Sequence, residues 1–314
     1  MLKILLKKIS IFLSFYYLSS KRYNKNKHSK ISDYLRKKIN IYFKKNPRLK
    51  THINLSNEIY QIIKKKNLYN FLRNSIIQNI FFIHNRLFIL SELNELKKNK
   101  FWNMWKKILI ENEVGNPVRY FLYPQSSGNR IRQVYLIKKL SDQIGMKNLK
   151  KIKNIIELGG GYGCMAQIFY KISNKVNYYI YDMYEVNLLQ YYYLKMNNCN
   201  PKLGFKKTGI NLINRLNDLK KLNQESKIDL FIANWSLSEF PLKFRNEFVP
   251  TIKKTKYSII SFQEKFENIN NTKFFQNLLK QIKKDYKYKI LDFEFYNNSP
   301  FNNTNHKMLI LIKK

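Results

Sequence analysis

Ile155-Ile156-Glu157-Leu158-Gly159-Gly160-Gly161-Tyr162-Gly163 decides how the rest of this 314-residue chain is read. Two β-branched residues and a leucine surround one acid, the pattern of a short strand buried on both faces of a parallel sheet. Glycines follow at alternate positions, Gly159, Gly161 and Gly163, ahead of a run with helical character. Glycine has no Cβ and tolerates positive φ, so a strand that ends in such a loop lets a ligand approach the backbone closely. Nucleotides commonly bind at this first strand-to-helix turn of a doubly wound sheet. The spacing is not the dinucleotide fingerprint G-x-G-x-x-G, and the Lys-Ser/Thr of a phosphate loop is absent. The plainer alternative is a glycine-rich turn with no ligand.

The segment downstream sharpens the choice. Val176-Asn177-Tyr178-Tyr179-Ile180-Tyr181-Asp182 reads as the next strand, with an acid at its carboxyl end. Asp182 lies 19 residues after Gly163, close to the offset of about 20 at which an acid meets ribose hydroxyls in such folds. A carboxylate there can accept two hydrogen bonds; capping the following helix is the other role open to it. An acid followed by G-x-G-x-G resembles the first motif of S-adenosylmethionine (SAM) methyltransferases. That resemblance implies SAM as the cofactor, held by Glu157, Gly159, Gly160, Gly161, Gly163 and Asp182, with Asn234 and Trp235 contributing from a later strand end.

From Lys151 onward strands and helices alternate. Strands are expected at 154–158, 176–181, 228–234 and 257–261, with a weak one near Phe205. Helices are expected at 163–173, 185–197, 211–222, 242–253 and 271–284. Two final apolar runs, 288–295 and 307–312, flank the Asn/Ser/Pro-rich 297–305. Regular alternation implies a parallel sheet with right-handed crossovers, and a closing strand pair without a helix adds an antiparallel member. The expected class is α/β: a Rossmann-like, seven-stranded methyltransferase sheet over 151–314, with an α-helical N-terminal extension. Residues 113–150 read as a linker or lid and the helix leading into the sheet. Residues 1–112 read as a helical region, although 21–50 show little apolar periodicity before Ile39.

Three stretches narrow the resemblance. They are Glu157 to Gly163; Tyr181-Asp182-Met183-Tyr184-Glu185-Val186-Asn187 onward to Leu194; and Asn234-Trp235-Ser236-Leu237-Ser238-Glu239-Phe240. With the upstream Val114-Gly115-Asn116-Pro117 they look like the sugar O-methyltransferases, bacterial proteins often linked to surface polysaccharide synthesis. The likeness covers about 113–262. Cys164 stands where a small residue such as glycine is common, and Phe240 where methionine is common. The resemblance implies methylation of a hydroxyl on a sugar or surface glycan.

Methyl transfer from SAM demands alignment of acceptor oxygen, methyl and sulfur, which is mainly proximity and orientation. A sugar hydroxyl is weakly acidic, so a general base or a metal should assist. Candidate bases are Glu239 after the fourth strand, His306 entering the last strand, and Glu264 after the fifth. Asp182, Glu239 and Glu264 are separate acids near strand ends, but no spacing supports a ligand set. Ser236 and Ser238 read equally well as caps of the helix near Pro241.

Composition bears on partners. Lys and Arg number 59 against 20 Asp and Glu, a formal charge of +39. Such a charge suggests an anionic partner, and an RNA methyltransferase is the alternative function it favours. The excess is overwhelmingly lysine, accompanied by Asn, Ile, Tyr and Phe, all with A/T-rich codons. No arginine-rich patch or RNA-binding module is visible, so no specific nucleic acid is expected. A third reading is a non-catalytic methyltransferase-like binding protein. Lys3, Lys7 and Lys8 precede the apolar run Ile9–Leu18, about half of the ~20 residues a membrane span needs. It reads as a packed helix, as a basic helix giving peripheral membrane contact through residues 1–20, or as a cleaved signal with a poor cleavage site. Two cysteines and four scattered histidines (His28, His52, His84, His306) suggest neither disulfide framework nor zinc site, and a cytoplasmic setting is the default.

Overall fold

A computed structural model describes residues 24–46, 54–65, 67–81, 86–298 and 304–314. The run Ile9–Leu18 and its three readings lie outside the described residues, as do His52 and His84. The chain divides into two compact units. The first holds Met1–Ile137, Gly161–Ile172 and Met183–Leu203; the second holds Lys138–Gly160, Ser173–Asp182 and Gly204–Lys314.

Seven strands of the second unit form one sheet: β1 (Asn154–Leu158), β2 (Asn177–Tyr181), β3 (Ile210–Ile213), β4 (Leu230–Asn234), β5 (Tyr257–Gln263), β6 (Tyr286–Asp292) and β7 (His306–Lys313). Their order is β6-β7-β5-β4-β1-β2-β3. Strands β1 to β5 run parallel, and β7 is antiparallel to both β5 and β6. The architecture is the expected Rossmann-like, mostly parallel sheet, and it has eight strands in all where seven were expected. All seven residues of β5 and all four of β3 are buried, as a strand covered on both faces requires. Edge strand β6 is mostly exposed and carries Lys287 and Lys289, charges that discourage edge-to-edge pairing.

Two expected elements differ. The helix expected from 211 is instead β3 followed by a helix at Leu216–Glu225. Ile210-Asn211-Leu212-Ile213 is too short to reveal its period, and tertiary pairing with β2 decides it. The helix expected at 242–253 is broken into Leu242–Arg245 and Val249–Ile252. Pro250, in the first turn of the second piece, has no N–H to continue a longer helix.

The first unit is helical apart from short strands. Lys25–Lys45 is a helix, contrary to the weak periodicity expected before Ile39. Ile31, Leu35, Ile39 and Phe43 are its buried apolar residues, one position per turn, diluted by lysines in the sequence. Asn24 caps it by accepting a hydrogen bond from the Lys27 amide. The helix Tyr184–Met196 is buried over most of its circumference. The Tyr192 hydroxyl lies 2.8 Å from His28 Nδ1, and Ser56 donates to the Glu185 carboxylate. A strand pair, Arg119–Tyr120 with Tyr123–Ser127, stands where a linker or lid was expected. Arg119 there bonds Glu113 at 2.7 Å and the Glu111 carbonyl at 3.0 Å. No helix among the described residues is long and apolar enough to cross a membrane.

Candidate functional site

The carboxyl ends of the parallel strands collect most of the expected site within the second unit. The Gly159 amide donates to the Tyr181 carbonyl at 2.9 Å, and the Asp182 amide to the Ile213 carbonyl at 3.0 Å. The end of β1 therefore lies directly beside Asp182 at the end of β2. Asp182 is not the N-cap of the helix Tyr184–Met196; Met183 occupies that position, without a side-chain bond.

Gly159 has φ +68°, and a Cβ built on it would lie 2.5 Å from Ser236 Cβ. The Ser236 hydroxyl donates to the Leu158 carbonyl, so the loop after β4 packs onto the glycine turn. A Cβ on Gly160 would lie 2.6 Å from Ile180 Cγ2 and 3.0 Å from Glu157 Oε2. Both positions need glycine for close approach, and Gly159 needs it for its positive φ as well. Gly161 and Gly163 fall in the first unit, where Gly161 accepts a 2.9 Å hydrogen bond from Gln190 Nε2.

Glu157 is buried on β1 and receives a 2.8 Å hydrogen bond from the Tyr178 hydroxyl. Burial pushes its pKa up to about 8; the Tyr178 bond works against the rise, and the charge of Asp182 adds to it. Desolvation disfavours the ionised form here more than one hydroxyl donor can restore.

Past β4 the chain turns sharply. Asn234 Oδ1 accepts from the Ser261 hydroxyl at 3.0 Å, and the Trp235 amide donates to the Ser261 carbonyl at 2.7 Å. Trp235 takes φ +65° and ψ −32°. Its indole Nε1 donates to His306 Nδ1 at 2.6 Å, and its ring stacks on Phe293 with centroids 5.6 Å apart. His306 opens β7 opposite Gln263, the last residue of β5. Because β7 is antiparallel, its beginning lies at the same sheet end as the carboxyl ends of β4 and β5.

Ser236 and Ser238 do not cap the helix near Pro241. The Ser238 hydroxyl lies 2.6 Å from the Trp235 carbonyl and 2.9 Å from Gln263 Oε1. Gln263 Nε2 reaches Glu239 Oε1 at 3.5 Å. Although Glu239 as a residue is exposed, protein crowding around its carboxyl raises the pKa, with the Gln263 hydrogen bond opposing. Glu264 Oε1 is paired with Lys307 Nζ at 2.7 Å. Among the described residues, no three His, Cys, Asp or Glu side chains cluster as a metal centre would need.

Three residues that shape this end of the sheet were not expected from the sequence: Tyr178, Gln263 and Arg245. The Arg245 side chain is fully buried and donates to the Phe240 carbonyl at 2.7 Å, to the Ser238 carbonyl at 2.6 Å and to Asn271 Oδ1 at 2.6 Å. Asn271 in turn donates to the Gln263 carbonyl at 2.8 Å. The guanidinium thus fixes both carbonyls that flank Glu239. One signal was available: Arg245 is the only arginine after Arg215 in a lysine-rich chain, and a planar fork is what such bonding needs.

No protein-family model matches the chain, and no curated protein matches it. Solved structures do match. One is a candidate caffeoyl-CoA O-methyltransferase from Staphylococcus aureus, 14% identical, covering 72% of this chain and 97% of its own, with a TM-score of 0.41. Protein 1320 of Thermoplasma acidophilum is 8% identical, covers 69% of this chain and 98% of its own, and gives a TM-score of 0.40. The methyltransferase domain of bacterial CtHen1-C is 14% identical, covers 59% and 98%, and also gives 0.40. Identities this low leave substrate and activity unspecified.

Proposed function

We propose that this protein is a SAM-dependent O-methyltransferase acting on a hydroxyl of a sugar or surface glycan. The observation that carries the methyltransferase reading is the 2.9 Å bond from the Gly159 amide to the Tyr181 carbonyl. It puts a glycine turn beside an acid at adjacent strand ends, the crevice where open α/β sheets bind nucleotides. The residues fit such a ligand: Gly159 and Gly160 have no room for a Cβ, and Asp182 supplies an acceptor for paired hydroxyls. The sugar acceptor rests on the resemblance of the loops at 157–163, 181–194 and 234–240.

Bound SAM would supply an electrophilic methyl carbon. The protein's part is to orient the acceptor hydroxyl and to take its proton. Glu239 is the first candidate for that base, on the loop held by Arg245 and Gln263; its raised pKa brings it closer to the operating range of a base at neutral pH. Incubating the protein with methyl-labelled SAM and, separately, sugar nucleotides, a polysaccharide extract and bulk RNA tests the reading. Label is expected in a sugar fraction. Label in RNA alone would replace the glycan acceptor with the nucleic acid that the +39 charge suggests.

A further inference from the structure

The ring of His306 is held by a group that can only donate. The indole N–H of Trp235 has no lone pair to offer, and it meets His306 Nδ1 at 2.6 Å. Nδ1 must therefore be the acceptor, and a neutral imidazole in that state carries its proton on Nε2. A doubly protonated ring would bring two N–H donors face to face at the same distance. While the bond stands, Nδ1 is occupied and Nε2 already bears a hydrogen, so neither nitrogen can take up a proton.

The surroundings keep the ring in place. Tyr296 packs edge-on against it with centroids 4.5 Å apart. Asn297 clamps the His306 backbone, accepting from its N–H at 2.8 Å and donating to its carbonyl at 3.0 Å. Phe293 backs the indole.

A second observation is independent of the ring bond. Trp235 sits at φ +65°, a left-handed conformation that is rare and strained for a bulky side chain. Glycine or asparagine would adopt it more readily. The surroundings over-determine it: the Trp235 amide is bonded to Ser261, and its carbonyl accepts from the Ser238 amide at 3.0 Å and lies 2.6 Å from the Ser238 hydroxyl. Strain of this kind persists where an aimed side chain has a use, and what this one reaches is His306.

We propose that Trp235 is a positioning residue whose indole fixes His306 in the neutral Nε2–H tautomer, so that His306 serves the methyl acceptor as a hydrogen-bond donor and not as a base. The donor role rests on the O-methyltransferase reading; the tautomer does not. In the reaction the acceptor oxygen forms its bond to the methyl carbon as the carbon–sulfur bond breaks. The hydroxyl proton goes to Glu239, and His306 keeps its own proton throughout while orienting the acceptor oxygen.

Nitrogen-15 NMR of the full chain labelled at histidine reads the tautomer directly, with the His306 signals assigned by their loss in His306→Gln. An unprotonated Nδ1 and a protonated Nε2 are expected in the wild type. Trp235→Phe keeps an aromatic ring against Phe293 but removes the donor, and should release the ring to a mixture of tautomers. A proton on Nδ1 in the wild type, or an unchanged tautomer in Trp235→Phe, overturns the proposal whatever the enzyme does. With the labelled acceptor in hand, His306→Gln, which retains an N–H donor, should stay within about tenfold of wild-type kcat, the scale of one neutral hydrogen bond. His306→Leu should fall further. Equal, large losses in both, with the tautomer as expected, would overturn the donor role. Absence of methyl transfer by the wild type itself would refute the functional reading and leave the tautomer result standing.

Discussion

Ser236 closes over Gly159: a Cβ on the glycine would lie 2.5 Å from Ser236 Cβ, and the serine hydroxyl is bonded to the Leu158 carbonyl just before it. Gly159→Ala adds left-handed strain to this overlap and should destabilise the fold by about 2–4 kcal/mol. Chemical denaturation measures it. Combining the change with Ser236→Gly should recover part of the loss, because residues in contact are not additive. Full additivity would mean that strain alone, and not the Ser236 contact, requires the glycine.

Glu157 makes stability depend on pH with a definite sign. Burial raises its folded pKa to about 8 from an ordinary 4.5. The folded state therefore holds a proton that the unfolded state releases between these values. This contribution is fully present below about 4.5 and is lost as pH rises through about 8. Glu157→Gln keeps the shape and removes the titration. The unfolding free energy of the wild type should fall relative to Glu157→Gln between pH 5 and 8.5. Parallel curves across that range would show that the carboxyl is not desolvated as described.

Arg245 joins the Ser238 and Phe240 carbonyls to Asn271. Arg245→Met preserves bulk but leaves three acceptors without their donors. At about 1–3 kcal/mol for a buried acceptor left unmade, unfolding measurements should show a loss of about 3 kcal/mol or more. Methyl transfer should weaken in the fraction that stays folded, because the loop carrying Glu239 is released. A variant as stable and as active as wild type would remove Arg245 from this role.

Glu239→Gln tests the base. The amide keeps the size of the side chain and its contact with Gln263 but cannot take the acceptor's proton. With the correct acceptor, kcat should drop by roughly 10²–10⁴, while SAM affinity stays near that of the wild type. Undiminished turnover would place the base elsewhere, or show that alignment alone suffices.

Much of the sheet was legible because its central strands are buried on both faces. Ile155–Leu158, Tyr178–Tyr181 and Leu230–Ala233 announce themselves as apolar runs, and Asp182 by its offset from the glycines. The strand Ile210–Ile213 was not, since four residues carry too little periodicity to separate strand from helix. The helix Lys25–Lys45 was obscured by lysines around a single apolar residue per turn. The candidate site was legible where its residues are close in sequence, at Gly159 and Gly160 and in the loop 234–240. The bond from Trp235 to His306 spans 71 residues, and Arg245 acts on carbonyls, which leave no mark in a sequence. Such relationships become visible only once β7 is seen to start beside the end of β5.

SAM binding at Asp182 is the most direct test. Calorimetric titration of the full chain should show a single SAM site in the wild type. Asp182→Ala should weaken it by about 1–3 kcal/mol, the scale of hydrogen bonds to a charged group. No SAM binding by the wild type, or unchanged affinity in Asp182→Ala, would contradict the assignment of this strand-end crevice as the methyl-donor site.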